Sequence, residues 1–242
     1  MKKNIILVLC LSLVTIVGCQ NLKKESKLKK TIEVSIDSSD SITIAEVKIT
    51  SDINGEFSEE VQIFEGTYDE VIEKVQLTTK KTEGVIISEI KTTKRIRFSL
   101  NPKSESETNG TVLFTEKDGQ VTLESSMSGL IQGTHAIHIH EKADCSSEDG
   151  KSSGGHWNPT FENHGAWGSK DGYHKGDIGN FLADKNGNGG ITFSTDQWCL
   201  GCDDDTKNLI GKAVIVHQGT DDMISQPSGA EGARISCVGI IE

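Results

Sequence analysis

The amino-acid sequence predicts an all-β domain over residues 95–242, preceded by a small α/β module and a leader segment. Three observations carry that expectation. After residue 95, short runs of β-branched and aromatic residues recur with turn signals between them, which is the pattern of a sandwich or barrel. Before it, alternating stretches flank one amphipathic helical run. A single connection, residues 141–180, breaks the rhythm; it is rich in Gly, Asn, Ser and Asp, and loops of that length in a compact domain are usually functional.

The leader comes first. Lys2 and Lys3 form a basic start, and residues 5–17 are apolar but too few to span a bilayer comfortably. The run closes on Ile16, Val17, Gly18 and Cys19 and turns polar at Gln20, which resembles the lipobox of a bacterial lipoprotein. Residues 1–18 are therefore expected to be a signal peptide, with Cys19 lipidated; an ordinary signal peptide that happens to contain a Cys is the alternative. Either way the mature chain leaves the cytoplasm, and disulfides become permissible. Its net charge, −11 for the whole chain, becomes about −13 without Lys2 and Lys3. Such an acidic protein is no general nucleic-acid binder, although a small anion can still be drawn to a local positive spot.

Residues 19–30 are polar and Lys-rich, suited to a solvated tether. Residues 31–36, 43–49 and 61–63 alternate as strands, with turns at 37–41 and 52–55. Thr67 and Glu70 have capping-box spacing, and Tyr68, Val71, Ile72 and Val75 share one helical face. A strand at 84–90 completes a module over 31–93. It holds no His, no Cys and no Gly-rich phosphate loop, so a spacer between membrane and main domain is the expected role, with partner binding left open. Beyond it, strands are expected at 95–100, 111–115, 121–127 (after a hairpin turn at 116–119), 135–140, 190–194, 213–217 and 234–241.

The chemistry lies in the histidines, all seven of which fall between residues 135 and 217. His138 and His140 are two apart, so on a strand both imidazoles leave the same face. His135 has the opposite parity and is expected to brace the strand. His217 ends a separate apolar strand and can complete a site with His138 and His140. The long loop adds His156, His164, His174 and Asp177, nitrogen and carboxylate donors that suit tetrahedral zinc. A group of three or four imidazoles suits copper.

With these motifs stand Gly133 to His140, Cys145, Gly154 to Pro159, His164-Gly165, His174 to Asn180, Gly211 to His217, Asp221-Asp222 and Gly229 to Cys237. In order and spacing, residues 98–242 resemble a bacterial copper/zinc superoxide dismutase. The resemblance implies a Greek-key β-barrel, a fold for which that family is a known example. It implies copper at His138, His140, His156 and His217, and zinc at His156, His164, His174 and Asp177, with His156 bridging. His135 and Asp221 would support these ligands, Asp221 linking His138 to His164. Arg234 matches the family's anion-guiding arginine, and Cys145 and Cys237 its disulfide.

The activity implied is conversion of superoxide to O2 and H2O2 by copper redox cycling, with His156 and Arg234 as catalytic residues. The other reading is a copper- and zinc-binding lipoprotein that buffers or delivers metal without turnover. The expected partners are superoxide and, through the N-terminal lipid, the membrane of the bacterial envelope, at its periplasmic side or the cell surface; monomer and homodimer stay open. Three features depart from the family pattern. Cys199 and Cys202 are extra; a local disulfide is expected there, a redox pair or further metal site being the alternative, and Asp203 to Asp205 disfavour a thiolate. Residues 218–233 contain no Lys, so steering falls to Arg234, with Lys142, Lys151 or Lys212 as substitutes and a surface pair of Arg234 with Glu231 as the competing reading. Gly239 comes one place later than usual.

Overall fold

The computed structural model describes residues 28–39, 42–53, 55–80 and 87–241. The expected signal peptide, Cys19 and most of the tether lie outside the described residues. The chain enters as β1 (Leu28–Ser39), β2 (Ile42–Ile53) and β3 (Glu56–Gly66), followed by α1 (Tyr68–Lys80). β1, β2 and β3 are antiparallel neighbours. Ile32, Val34, Ile36, Ala45, Val47 and Ile49 bury one face of this sheet against Val71 and Val75 of α1, with Phe64 and Ile72 packed at the margin. The capping box closes both ways: the Thr67 amide donates to Glu70 Oε2 at 3.1 Å, and the Glu70 amide to Thr67 Oγ1 at 3.5 Å. β3 is longer than the expected 61–63. It is a sheet edge with mostly solvated positions, so Ser58, Glu59 and Glu60 can occupy it without any apolar alternation.

β4 (Ile87–Pro102) joins the two parts. Its first half lies parallel to β1, and residues from Thr93 onward pair with β5 (Asn109–Lys117). The division expected at residues 93–95 therefore falls inside one unbroken strand, since no turn residue interrupts Ile90 to Ile96.

The remaining strands are β6 (Gln120–Ser128), β7 (Gly133–His140), β8 (Gly179–Ala183), β9 (Thr192–Thr195), β10 (Ala213–His217) and β11 (Arg234–Gly239). Reading across, β9, β6, β5, β4, β11, β10, β7 and β8 are hydrogen-bonded neighbours. Between β8 and β9 there is no ladder among the described residues; Gly189 alone bridges to Met127 and to Ala183. The architecture is thus an open barrel, or sandwich, around Phe98, Phe114, Leu123, Ile137, Ile139 and Val216. β8 was not expected; it begins at the end of the expected loop, and its five residues carry only two buried apolar side chains, Phe181 and Ala183. Gly239 ends β11 as a regular partner of Ala213. A side chain there would strike the backbone of Ala143, which accounts for a glycine at that place.

Candidate metal centre

β7 is buried along six consecutive residues because both of its faces are covered. Ile137 and Ile139 point into the barrel core, and His135 shares their parity, stacking on Phe181 at 5.8 Å between ring centroids. His138 and His140 point the other way, under the long loop. β10 lies beside β7 on one side and β11 on the other, and its register with β11 shifts between Val216 and His217; such a bulge re-aims a side chain, here His217. Its ring reaches His140, Nε2 to Nε2, at 3.3 Å. The loop folds back along β7 like an extra strand: Trp157 donates to the Ile139 carbonyl at 2.8 Å, and the Ile139 amide donates to Gly176 at 2.9 Å. That pairing sets His156 beside His140 and carries His164, His174 and Asp177 over it.

Two donor groups result. His156, His164, His174 and Asp177 place one donor atom each within 4.8 Å of one another, and His140, His156 and His217 do the same. His156 belongs to both. Asp177 Oδ1 is 2.8 Å from His156 Nδ1 and 3.2 Å from His174 Nδ1, while Oδ2 is 3.0 Å from His164 Nδ1. Asp177 also accepts the backbone N–H of His174 at 2.8 Å and of Gly165 at 3.2 Å. His138 lies against the second group, its ring 4.2 Å from that of His156.

The donors fit metals better than they fit one another. His138 Nδ1 and Nε2, His156 Nε2, His164 Nδ1, His174 Nδ1 and His217 Nδ1 are buried without a hydrogen-bond partner, which is costly in a folded protein unless a cation takes the lone pairs. Three imidazoles with one carboxylate are a tetrahedral zinc set. The imidazole-only group suits copper.

Charge follows the same division. Burial pushes the His138, His140 and His217 imidazoles below their ordinary value, and the charges of His156 and Arg234 add to this at His140, which favours the neutral form of these rings. Burial also opposes protonation of His156 and His164, but carboxylates overcome it. Asp177 and Glu231 raise His156, and Asp177 and Asp221 push His164 up to about 10. Asp177 and Asp221 are held well below the usual carboxylate range: burial works against this, and the imidazole contacts prevail.

Asp221 stands between the groups, 2.9 Å from His164 Nε2 and 3.3 Å from His138 Nε2. Asn180 holds it by exchanging two hydrogen bonds with its backbone, each 2.9 Å. Gly229 has φ +80° and a Cβ there would collide with Asp221 Oδ1, so only glycine lets the carboxylate sit here. His135 lies within hydrogen-bond distance of the His217 carbonyl, 3.0 Å, and of Ile131 O, 2.7 Å. Arg234 donates to Gly150 O at 3.0 Å and Ser153 Oγ at 3.1 Å. Among the described residues it makes no ion pair with Glu231, which turns inward instead. The competing reading of a surface pair falls, because Glu231 is buried at 4% exposure.

Cys145 is bonded to Cys237, and Cys199 to Cys202. Two contributors went unread in the sequence. Glu231 entered only in the competing reading, as a surface partner of Arg234; a lone acid among Gly229, Ala230 and Gly232 was the available signal. Gln226 clamps the long loop at His164, accepting from the His164 amide at 3.0 Å and donating to its carbonyl at 2.9 Å; nothing in its neighbourhood marks it.

The copper/zinc superoxide dismutase (SODC) family model matches residues 108–241. An extracellular superoxide dismutase [Cu-Zn] from Caenorhabditis elegans is 34% identical over 148 residues, covering 58% of this chain and 65% of that protein. A solved SOD-like protein from Bacillus subtilis is 27% identical with a TM-score of 0.54, over 60% of this chain and 97% of that one. The clock protein EA4 is 32% identical with a TM-score of 0.52, over 61% of this chain and 94% of its own. With more than half of its residues under the family model, and copper and zinc as the cofactors its donor sets fit, the chain belongs to the copper/zinc superoxide dismutase family.

Proposed function

We propose that the protein is an exported superoxide dismutase, taking two superoxide anions and two protons to O2 and H2O2. What supports the reading is one observation: His156 is shared between a zinc-type and a copper-type donor group, with its Nε2 unpartnered. Bound by His138, His140, His156 and His217, copper would supply the one-electron chemistry by alternating between Cu(II) and Cu(I). The residues around it do the rest. His156 Nδ1 stays on the Asp177 side, 2.8 Å away, while Nε2 is free to take up a proton and hand it to the reduced oxygen product. His156, His164, His174 and Asp177 would hold zinc, which would order residues 141–178 and keep the His156 ring aimed. Asp221 fixes the orientation of His138 and His164, as outer partners do for metal ligands.

Arg234 supplies local positive potential in an acidic protein. Focused fields raise anion on-rates by ~10- to 1,000-fold, superoxide dismutase being a standard case. Its planar, permanently charged fork suits a small anion, and Lys151 is no substitute because it pairs with Asp149 at 2.9 Å.

Export is supported by the two disulfides, and in this reading Cys19 carries the lipid while residues 31–93 hold the enzyme off the membrane of a bacterial envelope. The test is superoxide decay after pulse radiolysis with Arg234→Ile. The variant should keep both metals, lose turnover several-fold, and show a flatter dependence on ionic strength, because salt screens only the lost attraction. Unchanged turnover with an unchanged salt slope would remove Arg234 from the mechanism.

A further inference from the structure

Cys199 and Cys202 are joined by a bridge that takes no part in the metal donor groups. Its sequence separation is only 3, so it constrains the unfolded chain little. The segment is also pinned without it. The Cys199 amide donates to the Lys207 carbonyl at 2.9 Å, and the Leu209 amide to the Cys199 carbonyl at 3.0 Å. Asn208 holds the other end, accepting from the Gly201 amide at 3.0 Å and donating to the Cys202 carbonyl at 2.9 Å. Reduction would leave two thiols on a backbone still set for closure.

The two sulfur-bearing residues are not equivalent. Cys202 is half-buried, whereas Cys199 is buried at 7% exposure, so an incoming group meets Cys202 first. Between them, Leu200 is gripped by two charged side chains. Its amide donates to Glu116 Oε2 at 2.9 Å, and its carbonyl accepts from the Lys94 ammonium at 3.1 Å. Lys94 is itself buried. A buried cation at the residue next to Cys199 favours a thiolate there, while the exposed Asp203, Asp204 and Asp205 disfavour one at Cys202. An attackable sulfur is thus joined to a good leaving group.

We propose that Cys199 and Cys202 form a thiol–disulfide exchange site that takes an external dithiol as its substrate. A thiolate of that dithiol attacks Cys202 Sγ. A mixed disulfide forms, and the Cys199–Cys202 bond breaks with its electron pair on Cys199, on the Lys94 side. The substrate's second thiol, as thiolate, then attacks the substrate sulfur of the mixed disulfide and releases Cys202. The substrate ends as a disulfide, and its two electrons and two protons end on Cys199 and Cys202 as thiols. This activity does not depend on the copper reading above.

The zinc-loaded full chain tests this, with copper omitted because it oxidises thiols. Dithiothreitol is the dithiol, and freed thiols are alkylated and located by peptide mass. The Cys199–Cys202 bridge should open in the folded protein well before Cys145–Cys237, whose Cys237 is fully buried. A monothiol, 2-mercaptoethanol, quenched with acid, should be trapped on Cys202 with Cys199 free. Lys94→Met should slow the opening several-fold and leave zinc content and the Cys145–Cys237 bridge unchanged. A Cys199–Cys202 bridge that dithiothreitol opens no sooner than Cys145–Cys237 overturns the proposal. So does an adduct on Cys199, or an opening rate indifferent to Lys94, which would mark a merely exposed local bridge. Where Lys94→Met does not fold, the position of the wild-type adduct decides.

Discussion

Replacing Cys145 and Cys237 together by alanine should cost far more stability than replacing Cys199 and Cys202. The first bridge closes 92 residues and the second 3. Loop-closure entropy then assigns ~4.6 kcal/mol to the long bridge and ~1.6 kcal/mol to the short one at 25 °C. Cys237 is fully buried among Ala213 and Ile215, so alanine, which leaves no polar group behind, is the cleaner replacement. For a domain of this size, ~4.6 kcal/mol corresponds to a fall of ~10–20 °C in Tm. The effect should reach the site as well. Gly150 and Ser153, which hold Arg234, lie just after Cys145 in a segment that Lys103 also grips at the Cys145 carbonyl. Urea unfolding of the zinc-loaded protein, followed by tryptophan fluorescence, measures the cost. Equal losses for the two bridges, or a loss below ~1 kcal/mol for the long one, would refute the reasoning.

Other outcomes follow from the same geometry. His217→Ala should abolish copper binding and turnover while zinc content is kept, because His217 stands on β10 outside the zinc loop; retained turnover would break the ligand assignment. Asp177→Ala removes an acceptor from the His174 and Gly165 amides, so the metal-free protein should lose about 3 kcal/mol or more and amide exchange should speed up across 141–178. Zinc must displace a proton from His164, whose value is pushed up to about 10. Apparent zinc affinity should therefore climb about tenfold per pH unit from pH 6 to 9, and a flat profile would contradict that coupling.

Much of the site was legible because parity on a strand is a local property. His138 and His140 two apart, with His135 out of phase, is readable before any fold is known. The donors of the long loop, His156, His164, His174 and Asp177, were readable from residue type and clustering. The full length of β3, of which only 61–63 was read, and the whole of β8 were not, since a solvated edge strand and a strand with two buried apolar side chains carry too little alternation to signal themselves. The continuity of β4 was missed for a related reason: Lys94 has strand parity with the core, and its buried ammonium is bonded to the Leu200 carbonyl at 3.1 Å, so a charged residue masked an unbroken strand. Glu231 shows the limit most clearly. It is carried inward by a backbone with positive φ at Gly229, Ala230 and Gly232 and lies beside His156, 75 residues away in sequence, and neither is encoded in the spacing of residue types.

The central claim is that copper at this site turns over superoxide. The direct measurement is the copper and zinc content of the purified protein alongside its rate of superoxide consumption, taken as copper is titrated in. One zinc and one copper per chain, with a rate proportional to copper occupancy, is the expected result. Stoichiometric copper with no superoxide consumed would contradict the account and leave a protein that holds metal without using it.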